Sequence, residues 1–190
     1  GKRNLPWGFR SAALDRLLPL TDVKPVNLTG SSAMAAPSER GFQIRLTSEG
    51  ENEPMLQFDT DLNENERIWS RLPGHVWAAI GKAKPGATVF AHAVSSDEAT
   101  LSAERETPII VHQHYGGGQV LWIGIDSTWR WRHRVGDTYH HRFWGQLARW
   151  AAQNKAAAGN EFVKFGPERT DIDEGTQAIL RARWTRDFLR

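Results

Sequence analysis

The residues most suited to chemistry in this chain sit in one run, Asp126-Ser127-Thr128-Trp129-Arg130-Trp131-Arg132-His133-Arg134. Guanidinium groups stacked on indole faces can hold an acidic group or a sugar, and the same pairing can hold nucleic-acid bases. Asp126, Trp129, Arg130, Trp131 and Arg132 are therefore the candidate ligand-binding residues. The competing reading is architectural: a cation–π ladder that closes a loop onto the following helix, with Asp126 and Asp137 as partners for the arginines. Ser127 beside Asp126, with His133, His140 and His141 nearby, offers the residue types of a hydrolase triad. No Gly-x-Ser-x-Gly elbow accompanies them, and they lie too close in sequence to assemble a triad readily. His140 and His141, on a helix, point about 100° apart and make poor joint ligands. No catalytic residue is assigned from this run.

Two further groups stand out. In His112-x-His114, strand alternation puts both imidazoles on one face, where they could share a metal if His92 or a carboxylate supplied a third ligand. Ordinary packing or hydrogen bonding explains the pair equally well. Tyr115-Gly116-Gly117-Gly118-Gln119 is glycine-rich, but phosphate cradles open helices. A strand follows here, so the run reads as a hairpin turn. No cofactor fingerprint is present.

Positioning these residues requires a framework that the periodicity supplies. Ser11–Leu18 predicts a short helix with Ala13, Leu14, Leu17 and Leu18 on one face, and Pro19 to Pro25 an extended stretch. Thr29–Ser38 reads as a loop. Phe42–Thr47 alternates as a half-buried strand, and Ser48–Pro54 reads as a turn-rich connection. Asn63–Leu72 predicts a helix carrying Ile68, Trp69 and Leu72, stopped by Pro73-Gly74. Ala87–Val94 reads as a strand. Thr107–His114 and Gln119–Ile125 form a hairpin of nearly continuous apolar character, expected to be covered on both faces. Asp137 is positioned to cap the longest helix, 138–154, with Tyr139, Phe143, Leu147, Trp150 and Ala151 on one face. Phe162–Phe165 and Ala178–Trp184 read as strands in a β-rich tail, 159–190, distinct from an α/β domain over 1–158.

Composition bounds the classes. The chain has 190 residues, 39% of them hydrophobic, with nine Trp, enough for one ordinary domain core. A formal net charge of +2 gives no field strong enough to argue for nucleic acid. The absence of Cys excludes disulfides, thiolate metal sites and a Cys nucleophile within this chain. No apolar run reaches the roughly 18 residues of a membrane span, and no signal peptide is visible. Gly1 in place of an initiator Met suits an excised piece of a longer parent.

The run Thr107 to Asp126, followed by Trp129-Arg130-Trp131-Arg132, Gly136-Asp137, Tyr139, Phe143-Trp144-Gly145-Gln146 and Arg149-Trp150, resembles the C-terminal part of class I glutamine amidotransferase-like domains. The versions it resembles occur in large bacterial membrane-anchored proteins. Leu46-Thr47-Ser48-Glu49-Gly50 and Trp69-x-x-Leu72-Pro73 fit the same pattern, so the resemblance spans roughly residues 5–155. It implies an α/β, flavodoxin-like three-layer fold, held here in part, with a terminal β-hairpin and a final amphipathic helix. The tail would begin an immunoglobulin-like module. An active amidotransferase also needs a His and, two positions on, a Glu after the hairpin's last strand, where this chain has Ile125-Asp126-Ser127-Thr128. The resemblance thus implies a non-catalytic interaction or ligand-sensing domain of an envelope-associated parent. Its expected partners are other domains of that parent or envelope proteins, with no nucleic acid, and a half-fold of this kind could complete itself as a homodimer. The alternatives are a hydrolase or metal-dependent enzyme, and a carbohydrate- or nucleic-acid-binding module built on Trp and Arg.

Overall fold

The computed structural model describes residues 12–27, 41–94, 107–115, 118–132, 136–153, 158–159, 163–167, 175, 177 and 179–184. The elements are α1 (Ala12–Leu17), β1 (Leu20–Asn27), β2 (Gln43–Leu46), α2 (Ser48–Glu51), α3 (Leu62–Arg71), β3 (Trp77–Ala83), β4 (Thr88–Val94), β5 (Pro108–Tyr115), β6 (Gly118–Ile123), α4 (Thr138–Gln153), β7 (Ala158–Gly159), β8 (Val163–Pro167) and β9 (Leu180–Trp184). Short 3-10 turns cover Pro54–Leu56 and Thr128–Arg132. The fold is mixed α/β, and every described strand pair is antiparallel.

A four-stranded sheet in the order β2-β4-β5-β6 forms the centre. The apolar run of β5 predicts cover on both faces, and residues 108–113 are all buried. Alternation divides them. Ile110 joins the larger core with Phe42, Ile44, Trp69, Trp131 and Phe143, whereas Val111 packs with Leu20, Ala79 and Trp122 in a second cluster. α4 supplies the first cluster with Phe143, Tyr139, Leu147 and Trp150, as its periodicity predicts, although Ala151 is exposed. The β1–β3 ribbon lies over the second.

Two segments differ from expectation. Trp77–Ala83, to which the sequence assigns no element, is strand β3, paired with β1 from Leu20↔Ala83 to Asn27↔Trp77. Its Ala-rich run shows no clean alternation because Ala78 and Ala79 are buried in different clusters. Ser48–Glu51, read as turn, is a helical turn because the Thr47 hydroxyl accepts from the Gly50 N–H at 3.1 Å. The Thr29–Ser38 loop and His133 lie outside the described residues. The tail strands are present as β8 and β9, with β7 added, in a sheet of their own.

One connection ties the two borders of the central sheet together. Phe42, beside edge strand β2, exchanges backbone hydrogen bonds with His75 at 2.8 and 2.9 Å. A few residues on, Ala79 N–H donates to the carbonyl of Gly124, just past β6 on the opposite edge, at 2.6 Å. The segment His75–Ala79 is therefore a strap across one end of the sheet. A side chain at Gly124 would place its Cβ 2.4 Å from the Ala79 oxygen, which is why glycine stands there.

Candidate functional site

The strap brings His75 into the core at 1% exposure, facing the stretch that leaves β6. α3 ends at Arg71, and Pro73-Gly74 turns the chain back toward Phe42. Gly41, at φ 120°, permits the approach, since a Cβ there would lie 2.1 Å from the His75 carbonyl oxygen. From the other side, the chain after Gly124 presents Ser127 and then winds into the turn Thr128–Arg132. A 3-10 turn eclipses i and i+3, so Thr128 and Trp131 point inward together and both are buried.

The result is a buried polar cluster. His75 Nδ1 lies 2.8 Å from Ser127 Oγ, and the Trp131 indole N–H donates to His75 Nε2 at 3.1 Å. Arg130 closes the outer side, its Nε–H donating to the Gly74 carbonyl at 2.6 Å. Burial, and secondarily the charge of Arg130, pushes the His75 pKa down to about 3, so the ring is neutral at ordinary pH.

These bonds settle the tautomer. An indole N–H can only donate, so Nε2 must offer its lone pair to Trp131. The single proton of the neutral ring is then on Nδ1, and Nδ1–H donates to Ser127 Oγ. A general base needs the reverse, a free imidazole lone pair aimed at the hydroxyl hydrogen. The arrangement is a Ser–His pair wired backwards for nucleophile activation. It also differs from the partners expected for Ser127: His140 donates from Nδ1 to the Thr128 carbonyl at 3.0 Å instead, and Asp126 is exposed.

The Trp129–Arg132 run divides. Trp131, a candidate ligand residue by sequence, is 1% exposed and belongs to the core, within 5.1 to 5.7 Å, centroid to centroid, of the rings of Phe143, Trp69 and His75. It is unavailable as a stacking platform. Trp129 is 61% exposed and remains one. Arg130 is half-buried on Gly74, and Arg132 forms an exposed ion pair with Asp137. That pair matches the architectural role expected for Asp137, whose backbone carbonyl also accepts from His141 N–H at 3.0 Å as α4 begins. Thr128 fastens the run to α4 twice, through His140 and through the Trp144 indole N–H, which donates to its hydroxyl at 3.2 Å. Exposed Trp129, on the turn, and exposed Trp144, on α4, thus belong to two segments joined through Thr128.

His112 and His114 do share a face, their ring centroids 4.8 Å apart. His112 is stacked on Phe90, 5.7 Å away, and its Nε2 meets Gln119 Oε1 at 3.3 Å. Burial, followed by the neighbouring His114, holds the His112 pKa below the ordinary imidazole range. His92 lies on β4, paired with Arg45. Among the described residues no three His, Asp or Glu side chains gather to hold a metal.

The sequence reading missed His75. Nothing local marks His75, whose partners stand 52 and 56 residues away. No family model, curated protein or solved structure matches the chain.

Proposed function

We propose that this chain is a non-catalytic, amidotransferase-like binding module whose ligand surface is the turn bearing Trp129. One observation carries the reading: the buried His75 has both ring nitrogens committed, Nδ1–H to Ser127 and Nε2 to Trp131, so the Ser–His pair lacks a base. The exposed ion pair Arg132–Asp137 and the indoles of Trp129 and Trp144 are left facing solvent on a turn pinned by Thr128. On this reading the β5–β6 hairpin and α4 are the C-terminal part of a flavodoxin-like three-layer domain. What supports it is the order hairpin, turn, amphipathic helix and the cover on both faces of β5. Every described strand pair is antiparallel, so the parallel strands of such a fold are not among the described residues. The parent would be an envelope-associated protein; among the described residues no helix is long and apolar enough to cross a membrane.

The test is ammonia release from L-glutamine and hydrolysis of p-nitrophenyl acetate by the purified chain. Neither should exceed buffer, and Ser127→Ala should change neither. Activity abolished by Ser127→Ala would sink the reading. A second reading, a carbohydrate-binding module, is favoured by the exposure of Trp129, since sugar C–H faces stack on exposed indoles. A glycan-array signal lost in Trp129→Ala would select it over a protein partner.

A further inference from the structure

We infer that His112, His114 and Gln119, on the β5–β6 hairpin, bind a late first-row divalent metal ion, zinc or copper. The site is separate from the Trp129 turn and does not depend on how that turn is used.

The strand register supplies the third donor. Alternation along β5 puts His112 and His114 on one face. His92 cannot join them, because it stands opposite Pro108 at the far end of β5. Antiparallel pairing instead sets Gln119 of β6 directly opposite His114. His112, two residues back on the same face, is then its diagonal neighbour, within reach of a long side chain. The carboxamide takes that diagonal, with Gln119 Oε1 at 3.3 Å from His112 Nε2. The third donor is an amide oxygen, which a search for clustered histidines and carboxylates passes over.

Two separations have the values that a shared ion imposes. With bonds of about 2.0–2.1 Å at tetrahedral angles, neighbouring donor atoms stand about 3.3–3.4 Å apart. Nε2 and Oε1 are at 3.3 Å. Two imidazoles on one such ion have ring centroids about 4.5–5.3 Å apart. Those of His112 and His114 are at 4.8 Å. As a hydrogen bond, by contrast, the 3.3 Å contact falls beyond the usual N–H···O range. The buried amide nitrogen of Gln119 has no partner among the described residues. The carboxamide is thus held by one long contact, and its oxygen can turn to an ion without giving up a good bond.

The surroundings fix one ligand and leave access to another. Phe90 stacks on the His112 ring and Trp150 meets it edge-on, each with its centroid 5.7 Å away. His114 is exposed, which leaves an approach from solvent and a position for water. Gly116 and Gly117, outside the described residues, have no side chain to compete for the ion. Donor chemistry names the ion. Imidazole suits zinc, copper, nickel and iron, whereas magnesium and calcium take sets of hard oxygens. Copper binds a given donor set more tightly than zinc does. All three donors are neutral, so the ion keeps its full charge and exchanges more readily than from a closed thiolate site.

The test is isothermal titration calorimetry of the full chain with zinc, copper(II) and magnesium chlorides. One equivalent of zinc or of copper should bind, copper more tightly, and magnesium should not. His114→Ala should weaken zinc binding at least about tenfold. Gln119→Leu should weaken it several-fold, and Gln119→Glu should tighten it, because a carboxylate then takes the place of a neutral donor. Electron paramagnetic resonance of the copper form should show coupling to two imidazole nitrogens. The chain has seven histidines, so His141→Ala, away from the hairpin, is the control and should leave binding unchanged. Thermal melts without metal verify that each variant folds, and Gln119→Glu serves if His114→Ala does not. No zinc or copper binding, or binding that His114→Ala leaves intact, would overturn the inference. So would binding lost in His141→Ala, or zinc affinity indifferent to both Gln119 substitutions.

Discussion

Trp131 and His75 share a single hydrogen, the indole N–H directed at imidazole Nε2 across 3.1 Å. That bond decides which nitrogen of the ring carries its proton, and with it the direction of the bond to Ser127. It also makes the pair a structural joint between the strap and the turn after β6.

Acid should therefore loosen the fold through His75. The folded pKa is depressed to about 3, while an unfolded imidazole titrates near 6.5. The contribution is fully present above about pH 6.5. Below it the unfolded state binds a proton that the folded state refuses. The folding equilibrium constant should fall about tenfold per pH unit from there toward pH 3. Urea midpoints at pH 7 and pH 5 would read this. His75→Gln should be less stable at pH 7 and show a flatter profile, and an equally steep one would assign the effect elsewhere.

Substitutions within the run should separate its two tryptophans. Trp131→Ala removes a buried indole at the centre of the aromatic cluster and should cost about 3–5 kcal/mol. Trp129→Ala should stay within about 0.5 kcal/mol. Differential scanning calorimetry of the two variants is the measurement, and similar losses would contradict the division.

The arginines should separate too. Arg130→Ala leaves the half-buried Gly74 carbonyl without its charged donor and should cost about 1.5–3 kcal/mol. Arg132→Ala breaks only an exposed pair, which holds the Asp137 carboxyl below its usual range. Its effect on stability should be small and should vanish in high salt. Denaturant titrations at low and high ionic strength distinguish them.

Gly124→Ala should destabilise by about 1–3 kcal/mol, because the new methyl meets the Ala79 oxygen at 2.4 Å and forces the strap off the edge. Faster exchange of the Ala79 amide by NMR would localise the damage.

Legibility in the sequence followed locality. α3, α4 and the β5–β6 hairpin could be read because each buries a face whose period is written in adjacent residues, such as Tyr139, Phe143 and Leu147. β3 could not, because its strand state comes from pairing with β1 rather than from Trp77-Ala78-Ala79 themselves. The two tryptophans of the run look alike in sequence. Only the 3-10 winding, which turns Thr128 and Trp131 to one side, separates core from surface. His75 was invisible for a related reason, since its role is defined by residues that approach from distant segments. Asp137, by contrast, was readable as the partner of a nearby arginine because Arg132 is local.

The strap from His75 to Ala79 has a further consequence for behaviour in concentrated solution. Unpaired sheet borders are templates for sheet-to-sheet growth, and proteins guard them by cover or closure. Here one short segment guards both borders at the same end, held on one side by Phe42 and on the other by Gly124. Releasing it would lengthen the open stretch of both borders at once on a single molecule. Such a molecule can accept a neighbour on either side, so the species to expect from a loosened strap is an open-ended polymer.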